Sequence, residues 1–457
     1  MTATQANITY GSSIDGALTT LKALVAYPSS ASNLPVCAIM HGWSQQVSDL
    51  IDSYMVDRFA EGVYYTISGV SGSFESGEAL SGSLGGAATC NAASADQIVP
   101  HTITSAFQVG EVVTGGTSGA TATIASIASN NLFCIYPEMR GRNGASGAPD
   151  GGGREVQDII DAIDHVLSNY PSETDASQIY IVGYSGGGGN AQSASVRFPD
   201  RFNAVVSFFG MADYGYSRNL GWWYTNPTYR VSLEEWIGAT PLLDNNAYRS
   251  RASLLARRNY TNGHLYIYHD YDDTAVPVIN AERIVNALNG LGYDNFTASL
   301  TDASMPVRWF HESPTVGESV ILAERDFLPL FSAKSYDAWT VPASGTLITI
   351  GWIDTSRFAL WVEDGTDTYA EVTYNTTSRV FTIKPTTAVD IVLSLKGQTP
   401  AAGITTTING AQYTETADGN GVAEYSISIQ PLETGADRAI NMRTMLDALP
   451  NANWRPG

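Results

Sequence analysis

One serine of this chain stands where its hydroxyl could act as a nucleophile. Ser185 lies in Gly183-Tyr184-Ser185-Gly186-Gly187, directly after the apolar segment Gln178-Ile-Tyr-Ile-Val182, which is typical of a buried strand. The residues that follow are compatible with a helix. A sharp strand-to-helix turn needs glycines beside the serine, and it places the hydroxyl at a helix N-terminus that stabilises negative charge. The pattern therefore predicts a nucleophile elbow and acyl-transfer chemistry.

A nucleophilic serine needs a base that accepts its proton, and the chain has six histidines to choose from. His311 follows an apolar, strand-like segment, and it alone comes late enough for the chain order serine, acid, histidine. We therefore assign the base to His311. The other five histidines are interpreted as structural. They are His41 in the loop after the first buried strand, which we assign to the oxyanion site, His101 in a repeat region, His165 on a helix, and His264 and His269 at the two ends of a strand.

The base in turn needs a carboxylate to orient it. The loop HDYDDTAVP, directly after a predicted strand, offers Asp270, Asp272 and Asp273. Its offset from the Val-Pro pair at 276–277 makes Asp273 the first candidate and Asp272 the second, and Asp213, after the strand that follows the elbow, is the third. Carboxylates of such a loop that take no part in catalysis cap turns or contact solvent.

Two backbone amides must face the oxyanion that forms during acyl transfer. We expect one from Gly186, immediately after the nucleophile, and one from Trp43, in the loop after the His-Gly pair at 41–42. The aromatic-rich segment 214–236 is interpreted either as a lid over the pocket or as ordinary core. The side chains predicted to contact the substrate are Trp43, Tyr184, Trp222 and Trp223.

The elements around these residues alternate between buried strands and amphipathic helices. The clearest helix is predicted over residues 155–167, with its apolar side chains on one face. This alternation predicts an α/β fold, with a mostly parallel sheet and helices on both faces. Buried strands are predicted at 36–40, 132–136, 178–182, 203–209 and 264–268.

The segment from Ala60 to Glu138 has a different composition, without a single lysine or arginine. Residues 74–87 match residues 107–120 at an offset of 33 positions, and each copy has the pattern of a strand, a glycine turn and a strand. We predict an inserted module of two similar β-hairpin units, with a low-complexity linker as the alternative.

The end of the chain predicts a further domain. From about Ser335 onward, short alternating strands with turn signals predict a small β-sandwich, followed by a helix over residues 436–449. The predicted domains are a catalytic domain of residues 1–66 and 132–332, an inserted β-repeat module of residues 67–131, and a C-terminal β-rich domain of residues 333–457.

Composition excludes several classes of protein. The chain has 457 residues, with 45 acidic against 24 basic residues and a net charge of −21, which argues against nucleic acid or an anionic membrane as partner. Three widely spaced cysteines form neither a disulfide framework nor a metal motif, so we expect no metal and no cofactor. The first residues do not resemble a signal peptide, so we expect the protein either to become extracellular by lysis or another route or to stay in the cytoplasm.

Five separated motifs together resemble the α/β-hydrolase superfamily, and within it prolyl-oligopeptidase-like and dienelactone-hydrolase-like serine hydrolases. They are HGW, MRGRNGASG, GYSGGG, HDYDDTAVP and the late His311, over about residues 7–65 and 132–330. The resemblance implies a triad of Ser185, Asp273 and His311, with the amides of Trp43 and Gly186 as oxyanion donors. Asp270 departs from the family, which has glycine there, and the insertion interrupts a strand that is continuous in the family.

The repeat, for its part, resembles short modules of phage tail and baseplate proteins, which implies a virion-associated origin. The first functional hypothesis is a serine carboxylic-ester hydrolase, acting on a small-molecule or carbohydrate ester, with Trp352 or Trp361 available to stack on sugars if exposed. The second is a prolyl-oligopeptidase-like peptidase, although the repeat array of the usual β-propeller is missing from the sequence. The third is a non-catalytic virion binding protein, and a homo-oligomer or a tail partner is left open.

Overall fold

The structure is a computed structural model, and most of the chain is described in it. The described residues are 3–29, 32–52, 55–260, 263–305, 308–309, 311, 321–362 and 369–430. The helix predicted for residues 436–449 lies outside these ranges.

An eight-stranded sheet forms the centre of the catalytic domain. In sheet order its strands are β1 (Thr4–Tyr10), β2 (Leu21–Tyr27), β10 (Phe133–Pro137), β3 (Leu34–Met40), β11 (Thr174–Tyr184), β12 (Ala204–Phe208), β13 (His264–Asp270) and β14 (Phe296–Thr301). β1 and β2 pair antiparallel, and from β10 to β14 every pairing is parallel. The carboxyl ends of the parallel strands therefore share one edge, where such sheets place their sites.

Helices cover both faces of this sheet. They are α1 (Val47–Asp52), α2 (Met55–Glu61), α3 (Glu155–Asn169), α4 (Gly186–Arg197), α5 (Trp222–Thr225), α6 (Arg230–Ile237), α7 (Asn245–Arg249), α8 (Ile279–Leu291) and α9 (Leu328–Ser332), with 3-10 turns at Pro227–Tyr229, Ser253–Asn259 and Glu324–Asp326. Side chains of α3, α4 and α8 share a core with one face, and those of α1, α2 and α9 share a core with the other. This is the α/β-hydrolase arrangement, and apolar burial on both faces explains why strands such as β3 are apolar throughout.

The repeat region forms a closed six-stranded barrel inserted between α2 and β10. In barrel order its strands are β4 (Val63–Ser71), β7 (Gln97–Ser105), β6 (Ala87–Ala93), β5 (Ala79–Gly82), β8 (Val112–Gly115) and β9 (Thr121–Ser129). The barrel thus begins at Val63, before the boundary predicted at residue 67. The strand β4 contributes side chains to two cores. Tyr64 packs against the eight-stranded sheet, and Tyr65 packs inside the barrel.

The two repeats hold each other through a pair of equivalent glutamates. Glu111, in the second copy, accepts hydrogen bonds from the amides of Leu84 and Gly86 in the turn of the first copy, at 2.8 and 2.9 Å. Glu78, 33 positions earlier, accepts from the amides of Thr117 and Ser118 in the turn of the second copy, at 3.0 Å each. Each carboxylate therefore caps a turn of the other copy, and neither hairpin is complete alone.

Protonating or removing the Glu111 carboxylate is expected to destabilise the barrel. Burial raises the pKa of Glu111, but hydrogen bonds from the amides of Gly86, Gln108 and Leu84 outweigh it and leave the pKa below its usual value. A depressed folded-state pKa gives stability that is present above the unfolded pKa of about 4.3 and is lost as the pH falls through the folded value. Glu111→Ala should cost about 1–3 kcal/mol for each buried amide that is left unpaired.

Hydrogen exchange of the barrel amides, measured during heating at pH 7 and at a pH of about 3.5, checks this expectation. The matched control is Glu75→Gln, because Glu75 is exposed and its equivalent in the second copy is already glutamine, Gln108. Equal protection in Glu111→Ala and the wild type would contradict the proposed role of the carboxylate.

The C-terminal strands form one continuous nine-stranded sheet. In sheet order they are β22 (Ala411–Thr416), β21 (Gly403–Ile408), β19 (Val380–Pro385), β18 (Tyr369–Asn375), β15 (Ser344–Ile350), β16 (Trp352–Asp354), β17 (Phe358–Val362), β20 (Val389–Leu395) and β23 (Ala423–Ile429). The sheet folds over a single core, because Tyr425 on β23 accepts a hydrogen bond from Thr406 on β21 and donates one to the carbonyl of Ile404. The predicted sandwich is thus replaced by one sheet whose two ends meet.

This C-terminal sheet is attached to the back of the helix that follows Ser185. The guanidinium of Arg197, at the end of α4, lies 3.7 Å from the ring of Trp352 and donates to the carbonyls of Ser250 and Ile350. Trp352 is 1% exposed and stacks on Trp361. Trp352 therefore belongs to the core and does not offer a surface for sugar rings.

The three cysteines, Cys37, Cys90 and Cys134, are free thiols in the interior. Among the helices of the described residues, none combines the length and the apolar character needed to cross a membrane.

Candidate active site

Ser185 occupies a strained turn between β11 and α4. Its φ is +55° and its ψ is −118°, a conformation that L-residues rarely adopt. A Cβ on Gly183 would lie 2.0 Å from the carbonyl oxygen of Gly187, and one on Gly187 would lie 2.3 Å from that of Met40. The amide of Ser185 donates to the carbonyl of Phe208 at 3.0 Å, which fixes the turn to β12. This is the geometry of a nucleophile elbow, with the side chain partly open to solvent.

Two amides beside Ser185 are free to bind an oxyanion. The amide of Gly186 is the first of α4, where a helix has no partner for it. The amide of Trp43 makes no hydrogen bond to any residue that the structure describes. The two loops are adjacent, because a Cβ on Gly42 would lie 3.4 Å from the Cβ of Ser185.

A buried pair holds the loop that carries Trp43. Nδ1 of His41 lies 2.8 Å from the carbonyl oxygen of Gly42, and Nε2 lies 3.1 Å from Oε1 of Glu138, an ion-pair distance. Burial raises the pKa of Glu138, but His41 and the amide of Val47 outweigh it and leave that pKa below its usual value. Glu138 was not singled out from the sequence, and its position directly after β10 in the same parallel sheet is the signal that could have found it.

His311 and Asp273 form an oriented pair. Nδ1 of His311 lies 2.8 Å from Oδ2 of Asp273, which is 4% exposed. Oδ1 of Asp273 accepts from the amides of Ala275 and Val276 at 3.0 and 2.8 Å. Nε2 of His311 is buried and has no hydrogen-bond partner among the described residues. A carboxylate on Nδ1 selects the tautomer in which Nε2 carries a lone pair, as a general base requires.

A short chain of contacts places this pair beside the elbow. Phe208, which accepts the Ser185 amide, is followed by Phe209, whose ring lies 4.3 Å from that of His311. These contacts put Ser185 and the Asp273–His311 pair at the same carboxyl edge of the parallel strands, without a hydrogen bond between Ser185 and Nε2 of His311.

The other aspartates considered from the sequence have different partners. Asp272 and the buried Asp270 both bind the guanidinium of Arg308, and Asp213 binds Arg283 at 2.9 Å. Of the four aspartates, all within the described ranges, Asp273 alone is bonded to His311.

His269 supports the acid loop from beneath. Its Nε2 lies 2.6 Å from the carbonyl oxygen of Val276, and burial lowers its pKa. A neutral ring that donates to that carbonyl holds the loop in place.

Trp43 and Trp222 belong to one aromatic cluster over the elbow. A Cβ on Gly186 would lie 2.4 Å from the indole of Trp43, and this ring in turn lies 5.7 Å from Trp222 and 5.1 Å from Trp236. Nε1 of Trp222 donates to the carbonyl of Ala275 at 2.7 Å. Trp222 thus joins the oxyanion loop to the acid loop.

Asn226 is a second link to the acid loop that the sequence did not reveal. Its side-chain amide donates to the carbonyls of Thr274 and Ala275, at 3.1 and 2.5 Å. An asparagine before proline is an ordinary turn signal, so nothing local distinguishes it.

Two predicted substrate contacts lie elsewhere. Tyr184 is 6% exposed and stacks on Phe208 in the core on the sheet face opposite to Trp43, because successive strand residues point to opposite faces. Trp223 binds the carboxylate of Glu234 through Nε1 and lies under the guanidinium of Arg230, and both partners belong to α6. Neither contact with a substrate is supported by these positions.

Residues 119–303 match the prolyl oligopeptidase family. The matched region contains Ser185 and Asp273, ends before His311, and covers less than half of the chain. Together with the geometry of the site, this match supports a serine hydrolase on an α/β-hydrolase fold. No curated protein matches the chain.

Among the solved structures to which this chain is similar are several peptidases. The acylaminoacyl peptidase of Pyrococcus horikoshii is 16% identical over 75% of this chain and 43% of its own, with a TM-score of 0.45. A puromycin hydrolase is 15% identical over 74% and 40%, with a TM-score of 0.47. A Mycobacterium tuberculosis puromycin-hydrolyzing peptidase is 15% identical over 72% and 39%, with a TM-score of 0.45. The chain thus spans less than half the length of these proteins.

Within the described residues, no group of three or more His, Cys, Asp or Glu side chains is placed to hold a metal ion.

Proposed function

We propose that this chain is a serine hydrolase that cleaves acyl bonds through a covalent acyl-enzyme on Ser185. The observation that carries the proposal is the Asp273–His311 pair, which leaves Nε2 of His311 without a partner at the sheet edge where Ser185 ends its strand. A solvated or capping histidine would have no need of a buried carboxylate on Nδ1.

The proposed reaction has two halves, formation of the acyl-enzyme and its hydrolysis. Nε2 of His311 takes the hydroxyl proton as Oγ of Ser185 attacks the carbonyl carbon, and the amides of Gly186 and Trp43 bind the resulting oxyanion. Collapse of this intermediate breaks the bond to the leaving group, which receives the proton from His311. Water then attacks the acyl-enzyme with His311 as base, and collapse of this second intermediate breaks the bond to Oγ of Ser185, which takes the proton back from His311. Asp273 stabilises the imidazolium in both halves of the reaction.

We further propose that the bond cleaved is a peptide-type amide. The match of residues 119–303 to the prolyl oligopeptidase family favours this substrate over a carbohydrate ester. The buried position of Trp352 removes one argument for sugar binding. An amine is a poor leaving group and must be protonated as it departs, so amide cleavage depends on a well-oriented histidine.

We propose that the aromatic segment 214–236 controls access to Ser185, because its Trp222 lies 5.7 Å from Trp43 over the elbow. Trp222 and Asn226 hold this segment on the acid loop, directly beside the proposed triad. We therefore propose short peptides or acylated amino-acid amides as substrates, since they fit beneath a short cover.

Matched amides and esters would identify the bond that is cleaved. Acylated dipeptide p-nitroanilides and the corresponding p-nitrophenyl esters differ only in the leaving group. We expect measurable kcat/KM for the anilides, together with a fluorophosphonate adduct on Ser185. Rapid ester hydrolysis without anilide cleavage would make the protein a carboxylesterase, and a folded protein without an adduct would be the non-catalytic binding protein.

A virion-associated or extracellular location, with a homo-oligomer or a tail protein as partner, stays a prediction. The inserted barrel is the part whose repeat supports it. Mass spectrometry of purified virions from a producing host would detect the protein, and its absence from them would count against this prediction.

A further inference from the structure

We propose that Arg308 is a positioning residue that sets the place of His311 by binding Asp270. The proposal rests on the proposed function, because it assigns His311 the role of base. It concerns a residue three positions before His311, outside the triad and the oxyanion loops.

The guanidinium of Arg308 forks across one buried carboxylate. Nε lies 3.0 Å from Oδ2 of Asp270, and Nη2 lies 2.6 Å from Oδ1. Asp270 is 0% exposed and also accepts the hydroxyl of Thr301 at 2.6 Å. This ion pair is bidentate and largely hidden from water. Such a pair fixes the relative position of its two side chains and also stabilises the fold.

The carboxylate is itself held rigidly. Asp270 is the last residue of β13, and its Oδ1 accepts the amide of Asp272 at 2.8 Å, so the same carboxylate shapes the turn that leads to Asp273. Asp270 therefore connects the loop of the proposed acid to the segment of the proposed base. A glycine here, as in the family that the sequence resembles, would offer no such connection.

The residue after Arg308 strengthens the anchor. The amide of Trp309 donates to the hydroxyl of Thr301 at 3.1 Å, and its indole donates to Ser299 at 2.9 Å. Residues 308–309 are thus pinned to the ends of β13 and β14, two positions before His311. An error of about 1 Å in the position of a catalytic group can cost on the order of 100-fold in rate.

The second carboxylate of the fork contributes less. Asp272 also binds Arg308, but its side chain is 55% exposed, and exposed ion pairs are worth little. The positioning role is therefore assigned to Asp270, and Asp272 is a useful comparison.

The test compares Arg308→Gln, Arg308→Lys and Arg325→Gln in the full chain, using the anilide panel and the rate of fluorophosphonate labelling. Arg325 is the matched control, since it pairs with the exposed Asp96 and has no link to His311. We expect Arg308→Gln to lower kcat about 10- to 100-fold with KM within about twofold, and labelling to slow in parallel. Arg308→Lys should recover part of the rate, because it keeps the charge but not the fork.

Unchanged kcat in folded Arg308→Gln would overturn the proposal, as would a loss that only follows the fraction of unfolded protein. If Arg308→Gln does not fold, Arg308→Lys and Asp272→Asn carry the test. A lysine variant that folds with wild-type kcat would decide against the buried fork. A folded lysine variant that is clearly slower than Asp272→Asn, which breaks only the exposed pair, would support it. A wild type that neither labels nor turns over would instead refute the proposed function.

Discussion

Replacing Ser185 with alanine is expected to abolish acyl-bond cleavage. The hydroxyl is the sole group proposed to bond to the substrate carbonyl, so kcat should fall by a factor on the order of 10⁴–10⁶. The melting temperature should be almost unchanged, because alanine adopts the φ of +55° at about the same cost as serine and Oγ anchors no neighbouring element. Anilide and ester hydrolysis by the purified variant measures the effect.

Ser193→Ala is the matched control for this variant. Ser193 lies two turns further along the same helix, its side chain is buried, and its hydroxyl has no hydrogen-bond partner among the described residues. It should keep wild-type turnover. Activity of Ser185→Ala above about one thousandth of the wild type would show that another nucleophile does the chemistry.

The second large effect is expected in stability, from Glu324→Ala. Nε and Nη2 of Arg58, on α2, lie 2.6 and 2.8 Å from the carboxylate of Glu324, and both side chains are at most 5% exposed. Tyr64, on the barrel strand β4, adds a third contact to the carboxylate at 3.3 Å. Removing the carboxylate takes the ion-pair partner from a buried guanidinium, which should lower the free energy of unfolding by about 3–5 kcal/mol.

Urea denaturation of each variant measures this loss. Glu371→Gln is the control, because it breaks an exposed ion pair of similar chemistry. The side chains of Glu371 and Lys384 are 33% and 39% exposed, so this variant should cost under about 1 kcal/mol. Changing both partners to apolar residues, Arg58→Met with Glu324→Leu, should recover part of the loss. A cost of under about 1 kcal/mol for Glu324→Ala would mean that water reaches the site.

The local structure of single segments could be predicted from the sequence, because it depends on residues that are neighbours in the chain. Glycines around Ser185 are demanded by backbone clashes within a few residues, and the same steric argument holds in the structure. The alternation of apolar strands and helices likewise specifies layers, since each face must be buried. The match between residues 74–87 and 107–120 likewise identified the repeat, because it can be read from the order of residues alone.

The direction in which a side chain points could not be predicted from the sequence. Tyr184 is predicted to contact the substrate, yet strand alternation turns its ring into the core on the opposite face of the sheet. The indole of Trp222 donates to the carbonyl of Ala275 within the aromatic cluster over the elbow, and its contact with a substrate stays a prediction. A residue type indicates what a side chain could bind but not which surface it faces.

By itself the sequence determined the nucleophile turn, the order of the candidate residues and the extent of the repeat, because these follow from local sterics and from periodicity. Tertiary structure decided which aspartate lies against His311. The sequence ranked Asp273 first among three chemically identical loop carboxylates. In the structure Arg308, 36 positions after Asp272, binds the other two, and Asp273 alone contacts the histidine. It also decided that Glu78 and Glu111 each close the other's turn, since such pairing depends on distances that only the folded chain defines.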